Sequence, residues 1–176
     1  MIGIMRKEGK LAVYAGSFDP LTLGHTWMIE QGVRLFDRLV VAIGTNPDKR
    51  YAFSLQDRLE MLRSSTRRFR TVKVANFSNQ FLITYAKSIG ASHILRGIRS
   101  ESDYEFERVM RNINGDLSRD ITTVFLMPPR GIADISSSMV KGLIGPAGWE
   151  GIVRGYVPGP VFEKLKRVYG ARPKPR

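Results

Sequence analysis

Residues 11–25 read LAVYAGSFDPLTLGH, a short apolar run followed by a polar loop. The apolar run has the length and composition of a buried strand, and the loop leads directly into helical periodicity that starts at His25. Gly24 would let backbone or ligand approach closely, and His25 would lie where the free N–H groups of a helix N-terminus favour an anion. The segment predicts a strand, a loop and a helix with an anion site at the turn, although His25 could instead serve only to cap the helix.

The rest of the chain repeats this alternation of short β-rich runs and helical stretches. We predict strands over residues 11–16, 38–44, 71–75, 92–96 and 122–127. We predict helices over residues 25–36, 54–66, 80–89, 101–114, 136–144 and 159–169. Strands separated by helices favour an α/β fold, here a single-domain, Rossmann-like, doubly wound sheet of five parallel strands with helices on both faces. Ligands of such sheets bind beyond the carboxyl ends of the strands, so the loops after the strands are the candidate binding elements.

Both ends of the chain differ from this pattern. We expect residues 1–10 to form a flexible leader and residues 170–176 a basic tail, because proline and charge disfavour packing there. Residues 11–169 are expected to fold as one domain. No apolar run is long enough to span a bilayer, and the first residues lack the order of charged and apolar segments found in signal peptides. We therefore expect a cytoplasmic protein without a membrane partner.

The composition is strongly basic, with 28 Lys and Arg against 16 Asp and Glu and a formal net charge of +12. This excess predicts anionic partners, but charge alone does not distinguish nucleic acid, an acidic surface and small phosphorylated ligands. The absence of cysteine excludes disulfides and thiolate metal sites. His25 and His93 are the only histidines, which argues against a histidine-rich metal site, and we assign no residue as a metal ligand.

Cationic and hydroxyl side chains recur in the loops after the predicted strands. They occur in NPDKR at residues 46–50, RGIR at residues 96–99 and ISSSMVK at residues 135–141, with the acidic-aromatic run DYEFE at residues 103–107. The cations of these motifs that could handle phosphates are Lys49, Arg96, Arg99 and Lys141. Arg96 ends a strand, so its guanidinium would point into the crevice and could bind a phosphate through two hydrogen bonds. A solvated surface position for Lys49, and a helix cap for the serines, are the alternative interpretations.

Thr-x-Gly-His at residues 22–25, preceded by GSFDP at residues 16–20, resembles the signature of the nucleotidyltransferase superfamily. With RGIR, the acidic-aromatic run and the triple serine in the same order, residues 10–169 resemble the phosphopantetheine adenylyltransferase family. The resemblance implies a nucleotidyltransferase domain over residues 11–169. Its reaction would transfer AMP from ATP to 4′-phosphopantetheine, which gives dephospho-coenzyme A and pyrophosphate in coenzyme A biosynthesis.

The resemblance also implies roles for individual residues. The catalytic residues would be His25, Lys49 and Arg96, with His25 stabilising the transition state. Phosphopantetheine would contact Ser17, Lys49, Leu82 and Arg96. ATP would contact Ser17, Phe18, His25, Gly97, Ile98, Arg99, Glu107, Ile132, Ser136, Ser137 and Ser138. The chain departs from the family's pattern at residues 132–134, where relatives usually place an aromatic residue and a Phe and this sequence has Ile, Ala and Asp.

The chemistry of nucleotidyl transfer agrees with these residue types. The attacking phosphate is already ionised, so no general base is needed, and the enzyme has to align anions and stabilise charge on the α-phosphate. The sequence accordingly contains no recognisable nucleophilic triad and no pair of catalytic carboxylates. By resemblance we expect Mg²⁺ to accompany ATP, the chain to form a homo-oligomer, hexameric in relatives, and coenzyme A to bind as a feedback ligand as in some relatives.

Two other functions stay open at this point. A sister nucleotidyltransferase acting on nicotinamide mononucleotide or glycerol 3-phosphate would share the His-containing loop, but such enzymes generally lack RGIR followed by an acidic-aromatic helix. A nucleic-acid-binding module would need basic residues interleaved with exposed aromatic residues on one face. The arginines at positions 63, 67, 68 and 70 instead lie at a helix end remote from the carboxyl edge of the predicted sheet. We therefore expect ATP and 4′-phosphopantetheine as ligands, and no nucleic acid.

Overall fold

A central parallel sheet positions the other elements. The computed structural model describes residues 9–170, so the expected leader and basic tail lie outside the described residues except for Gly9, Lys10 and Gly170. The strands are β1 (Leu11–Gly16), β2 (Arg38–Thr45), β3 (Val72–Ser78), β4 (His93–Gly97) and β5 (Thr122–Leu126). All neighbouring strands pair in parallel, in the order β3-β2-β1-β4-β5. The predicted five-stranded parallel sheet is confirmed.

The strand order creates a crevice at one edge of the sheet. β2 and β3 are added on one side of β1, and the chain then crosses back so that β4 pairs with the other side of β1. β1 and β4 are neighbours in the sheet. The connection after β1 runs to one side of the sheet, towards β2, and the connection after β4 runs to the other side, towards β5. In doubly wound sheets this reversal point is where ligands bind.

Eight helices connect or follow the strands within residues 9–170. They are α1 (Leu23–Leu35), α2 (Leu55–Thr66), α3 (Leu82–Ser88), α4 (Glu101–Leu117), α5 (Arg130–Ala133), α6 (Ser137–Leu143), α7 (Trp149–Val153) and α8 (Gly159–Tyr169). Each predicted helix is present, and α4 continues three residues beyond its predicted end. The short α5 and α7 were not predicted, because 4 and 5 residues are too few to produce a helical period. Across residues 9–170 no helix is both long and apolar enough to cross a membrane.

Side chains of β1 alternate between two apolar cores. Ala12 and Tyr14 join the larger core, which includes residues of α1, α2 and α8. Leu11 and Val13 point the other way, into a smaller core that includes residues of α3. Helices therefore cover both faces of the sheet, as predicted, and the strand at its centre is shielded from water on both sides.

The helix ends that border the crevice follow recognisable capping signals. Thr22 and His25 form a reciprocal capping box at the start of α1, and the Ser54 hydroxyl accepts a hydrogen bond from the Asp57 N–H at the start of α2 (3.1 Å). Ser100 caps α4 and Ser136 caps α6 through hydrogen bonds to the backbone N–H three residues later. These caps fix where the loops after β1, β2, β4 and β5 end.

Candidate active site

The crevice between the ends of β1 and β4 holds a cavity of about 380 Å³. Its walls come from the β1 end, the start of α1, the loop after β4, α4 and the segment from Pro128 to the start of α6. Of the predicted site residues, those that line it are Ser17, His25, Arg96, Gly97, Arg99, Glu107, Ile132, Ser136, Ser137 and Ser138. Residues that are far apart in sequence thus meet at the predicted edge of the sheet.

A second cavity of about 270 Å³ adjoins the first. The two share Arg96, Phe106 and Glu107 together with the last two residues of β1. Leu82, a predicted phosphopantetheine contact, lines the second cavity, and Phe77 and Phe81 line it too. The crevice therefore has a polar compartment joined to a more apolar one, with Arg96 at their junction.

His25 combines a capping role with a position in the cavity wall. Its Nδ1 accepts a hydrogen bond from the Thr22 N–H (3.1 Å) and lies 2.8 Å from the Thr22 hydroxyl. Because Nδ1 acts as an acceptor, the proton of the neutral imidazole is assigned to Nε2. Burial, assisted by the charge of Arg99, lowers the pKa of His25 to about 4. At neutral pH His25 is an uncharged Nε2–H donor, so the two interpretations of this residue are compatible.

Arg96 is held in place by a buried carboxylate. Its Nε lies 2.9 and 3.0 Å from the two oxygens of Glu107, its Nη2 also donates to Glu107, and its Nη1 donates to the carbonyl oxygen of Ala15 (3.0 Å). Glu107 is the one buried residue of α4, at 6% exposure. A guanidinium has five N–H donors, so one on each terminal nitrogen remains for a ligand. Glu107 thus contacts Arg96 and orients its guanidinium. The predicted contact of Glu107 with ATP would be a second role.

Arg99 has its own acidic partner on the first turn of α4. Its Nε and Nη2 donate to the carboxylate of Asp103 at 2.8 and 3.2 Å. The hydrogen bond to Asp103 raises the pKa of Arg99, so the guanidinium stays charged. The charged side chains that line the polar cavity are therefore two arginines and two carboxylates. The predicted phosphate-handling cations Arg96 and Arg99 are therefore charge-balanced here, and the capacity of the cavity for anions depends on directed N–H donors.

Two of the three serines at the start of α6 make hydrogen bonds within the protein. The Ser136 hydroxyl accepts from the Met139 N–H (3.1 Å), and the Ser137 hydroxyl donates to the Pro20 carbonyl (2.8 Å). Ser138 is exposed. All three serines line the cavity. A helix cap at Ser136 is therefore compatible with ligand contacts from this segment.

Three predicted site residues do not line either cavity. Phe18 is 1% exposed, and its ring packs edge-on against Tyr14 and His25, so a contact with ATP would have to use its backbone. Ile98 donates its N–H to the carbonyl of Leu126 (2.9 Å). Lys49 is exposed in the loop after β2, with its Nζ 5.9 Å from the centre of the Tyr51 ring.

Two buried charged residues of the site region were not predicted. Asp19 is 2% exposed and accepts hydrogen bonds from the N–H groups of Ala52 (2.9 Å) and Phe53 (3.0 Å). Lys141, which the sequence placed among the phosphate-handling cations, pairs with Asp19 at 3.3 Å. Arg58 is also 2% exposed, and it lies on the apolar face of α2, three residues after Leu55. That position was the available signal for its burial.

Comparison with known proteins identifies the class first. Residues 13–143 match the cytidylyltransferase-like family. The fold is similar to that of the nicotinic acid mononucleotide adenylyltransferase of Plasmodium falciparum, with a TM-score of 0.66 and 15% identity over 92% of this chain and 96% of that chain. The chain is thus a nucleotidyltransferase of the cytidylyltransferase-like family.

More similar relatives identify the particular family. The phosphopantetheine adenylyltransferase of Chromobacterium violaceum is 59% identical over 91% of this chain and 98% of that relative. The enzyme of the same name from Neisseria meningitidis serogroup C is 57% identical over 88% of this chain and 91% of that relative. The chain belongs to the phosphopantetheine adenylyltransferase family. This assignment favours the first of the three functions considered over the sister enzymes and the nucleic-acid-binding module.

The protonation state of His25 can be tested directly. We expect NMR spectra that correlate imidazole protons and nitrogens to give a His25 pKa of about 4, against an ordinary value of 6.5, and the Nε2–H form at neutral pH. The folded pKa lies below the unfolded one, so His25 should reduce folding stability as the pH falls from about 6.5 towards 4. A His93→Gln variant assigns the signals. A titration midpoint near 6.5 for His25 would contradict the assignment.

Proposed function

We propose that this protein transfers the adenylyl group of ATP to 4′-phosphopantetheine, giving dephospho-coenzyme A and pyrophosphate. The observation that carries the proposal is the junction at Arg96, where a polar cavity with N–H and hydroxyl donors meets a more apolar cavity at Leu82. This arrangement suits an acceptor with a phosphate at one end and a pantetheine arm behind it. The 59% identity to an enzyme of that name supports the same substrates.

In the proposed reaction a phosphate oxygen of phosphopantetheine attacks the α-phosphorus of ATP. A new P–O bond forms, the bond from the α-phosphorus to the oxygen that bridges it to the β-phosphorus breaks, and pyrophosphate leaves. The attacking oxygen is already ionised, so the protein has to orient two anions and stabilise the charge that develops on the α-phosphate. The neutral His25 ring can donate a hydrogen bond from its Nε2–H to the α-phosphate.

The remaining predicted residues fit roles around that step. We assign the free N–H donors of Arg96 and the hydroxyl of Ser17 to the phosphate of phosphopantetheine, and Leu82 to its arm. We assign Gly97, Arg99 and the serines at 136–138 to ATP, and they line the same cavity as His25. Lys49 would join the phosphates only if its loop turned the ammonium from Tyr51 into the crevice.

Mg²⁺ is proposed to enter as part of the ATP substrate. Within residues 9–170 no three acidic or histidine side chains cluster as they would around a metal ion. The two carboxylates that line the polar cavity, Asp103 and Glu107, are each engaged by an arginine. These residues do not fit a resident magnesium site, whereas the phosphates and water of the nucleotide complex suit this ion.

Coenzyme A is proposed to compete for the apolar compartment. It carries the same pantetheine arm as the acceptor, so the wall formed by Phe77, Phe81 and Leu82 would accommodate either molecule. Feedback binding would then exclude phosphopantetheine without a separate regulatory site.

The substrate assignment is tested by pyrophosphate release from ATP with the purified protein. We expect turnover with 4′-phosphopantetheine and none with nicotinamide mononucleotide or glycerol 3-phosphate, offered in parallel at the same concentration. Only the first provides a pantetheine arm long enough to reach the cavity at Leu82. Turnover confined to either of the other two acceptors would reject the proposal in favour of a sister enzyme.

The role of His25 predicts a separation of turnover from binding. His25→Ala should lower kcat by about 10²–10³ while the ATP dissociation constant changes little, because a donor aimed at developing charge acts mainly in the transition state. Calorimetric ATP binding measured beside steady-state kinetics provides the comparison. His93→Gln, which alters the other histidine, is the matched control. Equal turnover in the His25 variant and the native protein would remove His25 from the mechanism.

Homo-oligomer formation is proposed from the outer face of α4. Val109, Ile113 and Leu117 follow one another at helical spacing and are 49, 43 and 52% exposed. Phe106 precedes them at the same spacing, but it lines both cavities. An apolar stripe of this kind on a single helix is typical of a surface that packs against another chain. We propose that a second copy covers it, within the hexamer expected from the family resemblance.

This surface gives a testable substitution. Ile113→Lys should shift the mass measured by light scattering after size-exclusion chromatography to smaller species, because a charge would be buried against the neighbouring chain. Ile152→Lys is the matched control, since Ile152 is 55% exposed but lies on α7. A native protein that is monomeric, or an unchanged mass in the Ile113 variant, would contradict the proposal.

A further inference from the structure

Arg58 is a buried cation without a carboxylate partner. It lies in the first turn of α2, is 2% exposed and forms no ion pair within residues 9–170. Its Nε is buried without a hydrogen-bond partner. Burying a charge in this way is unfavourable unless other interactions compensate for the lost water. The contacts that Arg58 makes therefore indicate its role.

Those contacts reach the loop after β1. Nη1 of Arg58 donates to the carbonyl oxygen of Ser17 at 2.9 Å. Ser17 lines the polar cavity, and the same peptide segment continues into Phe18, which packs beneath His25. A hydrogen bond from a charged donor is stronger than one between neutral groups, so it restricts the orientation of the Ser17 peptide.

A second contact reaches the loop after β2. The Arg58 guanidinium carbon lies 3.9 Å from the centre of the Tyr51 ring, close enough for a cation–π interaction. The Tyr51 hydroxyl in turn accepts a hydrogen bond from the Asn46 N–H at 2.9 Å. Asn46 begins the loop that carries Lys49, and the Asn46 carbonyl accepts from the Lys49 N–H (3.1 Å). One side chain is thus connected to both loops that carry predicted phosphate contacts.

We propose that Arg58 is a positioning residue for binding of the phosphorylated acceptor, acting through Ser17 directly and through Tyr51 on the 46–50 loop. The inference rests on the proposed function, because it assigns the acceptor phosphate to these two loops. Arg58 does not itself line the polar cavity, so it acts on the ligand through the peptide and ring that it contacts. Its planar guanidinium is needed to donate to one group while stacking on the other.

Hydrogen exchange of the full chain tests the positioning without relying on activity. In Arg58→Met we expect the backbone N–H groups of residues 16–19, 46 and 48–50 to exchange about tenfold faster, the loss expected for one charged hydrogen bond. Leu62→Ala, a buried apolar substitution on the same helix, is the matched control for general destabilisation. Tyr51→Phe keeps the ring but removes the hydroxyl, and should accelerate exchange in 46–50 alone. Unchanged exchange in both loops of Arg58→Met, or acceleration spread evenly as in Leu62→Ala, would overturn the proposal.

Kinetics provide the second readout. Arg58→Met should raise KM for phosphopantetheine about tenfold and raise the ATP dissociation constant less, because Ser17 is a predicted contact of both ligands whereas Lys49 is a predicted contact of phosphopantetheine alone. Arg58→Lys should restore only part of the loss. Combined with Ser17→Ala, the increase in KM should be smaller than the product of the two single effects, because both act on one contact. Independent, multiplying effects would show that Arg58 does not act through Ser17.

The two proposals fail in different ways. If the native protein does not use phosphopantetheine, the proposed function is rejected, and hydrogen exchange still decides whether Arg58 orders the two loops. If Arg58→Met does not fold, Tyr51→Phe and Arg58→Lys carry the same comparison. Normal native turnover with unaltered loop exchange in these variants would reject the role of Arg58 alone.

Discussion

The carboxylate of Asp19 connects the parts of the chain from which the crevice is built. It is buried in the loop after β1, accepts hydrogen bonds from the N–H groups of Ala52 and Phe53, and pairs with Lys141 on α6. A buried carboxylate is tolerated only when such partners replace its water. The segment before α2 and the helix after the serines are therefore both attached to the loop that carries Ser17. The hydrogen bonds from Ser137 to the Pro20 carbonyl and from Arg58 to the Ser17 carbonyl join the same segments.

Paired charges also orient the arginine side chains that line the polar cavity. Arg96 and Arg99 each have a carboxylate from α4, so their guanidinium planes are oriented before a ligand arrives. His25 has its Nδ1 occupied by Thr22 and presents the other ring nitrogen. Such an arrangement provides donors in fixed directions, which suits a reaction that has to stabilise charge at one phosphorus atom. Most of the net positive charge of the whole chain lies outside this site, where the two arginines are balanced by two carboxylates.

Much of the fold could be predicted from local patterns. The five strands and six of the helices follow from runs of apolar residues and their spacing, since periodicity depends only on neighbours in sequence. The alternation of strands and helices implied a parallel sheet whose binding site lies in the loops after the strands. Only the strand order of the folded sheet shows that the loops after β1, β4 and β5 meet. The short α5 and α7 escaped prediction because they contain too few residues to establish a period. Residue roles in the site came from resemblance to a family and remain proposals.

The sequence by itself determined the order of elements, the edge of the sheet where the site lies and the residue types available there. Tertiary structure alone decided how those residues pair, because hydrogen-bond geometry depends on distances between segments far apart in the chain. It engaged Glu107 with Arg96 and Lys141 with Asp19, and it left Lys49 outside the cavity. It also decided that Arg58 is buried. The position of Arg58 on the apolar face of α2 favoured burial and its charge opposed it, and the carbonyl of Ser17 and the ring of Tyr51 are brought to it only when the sheet is assembled.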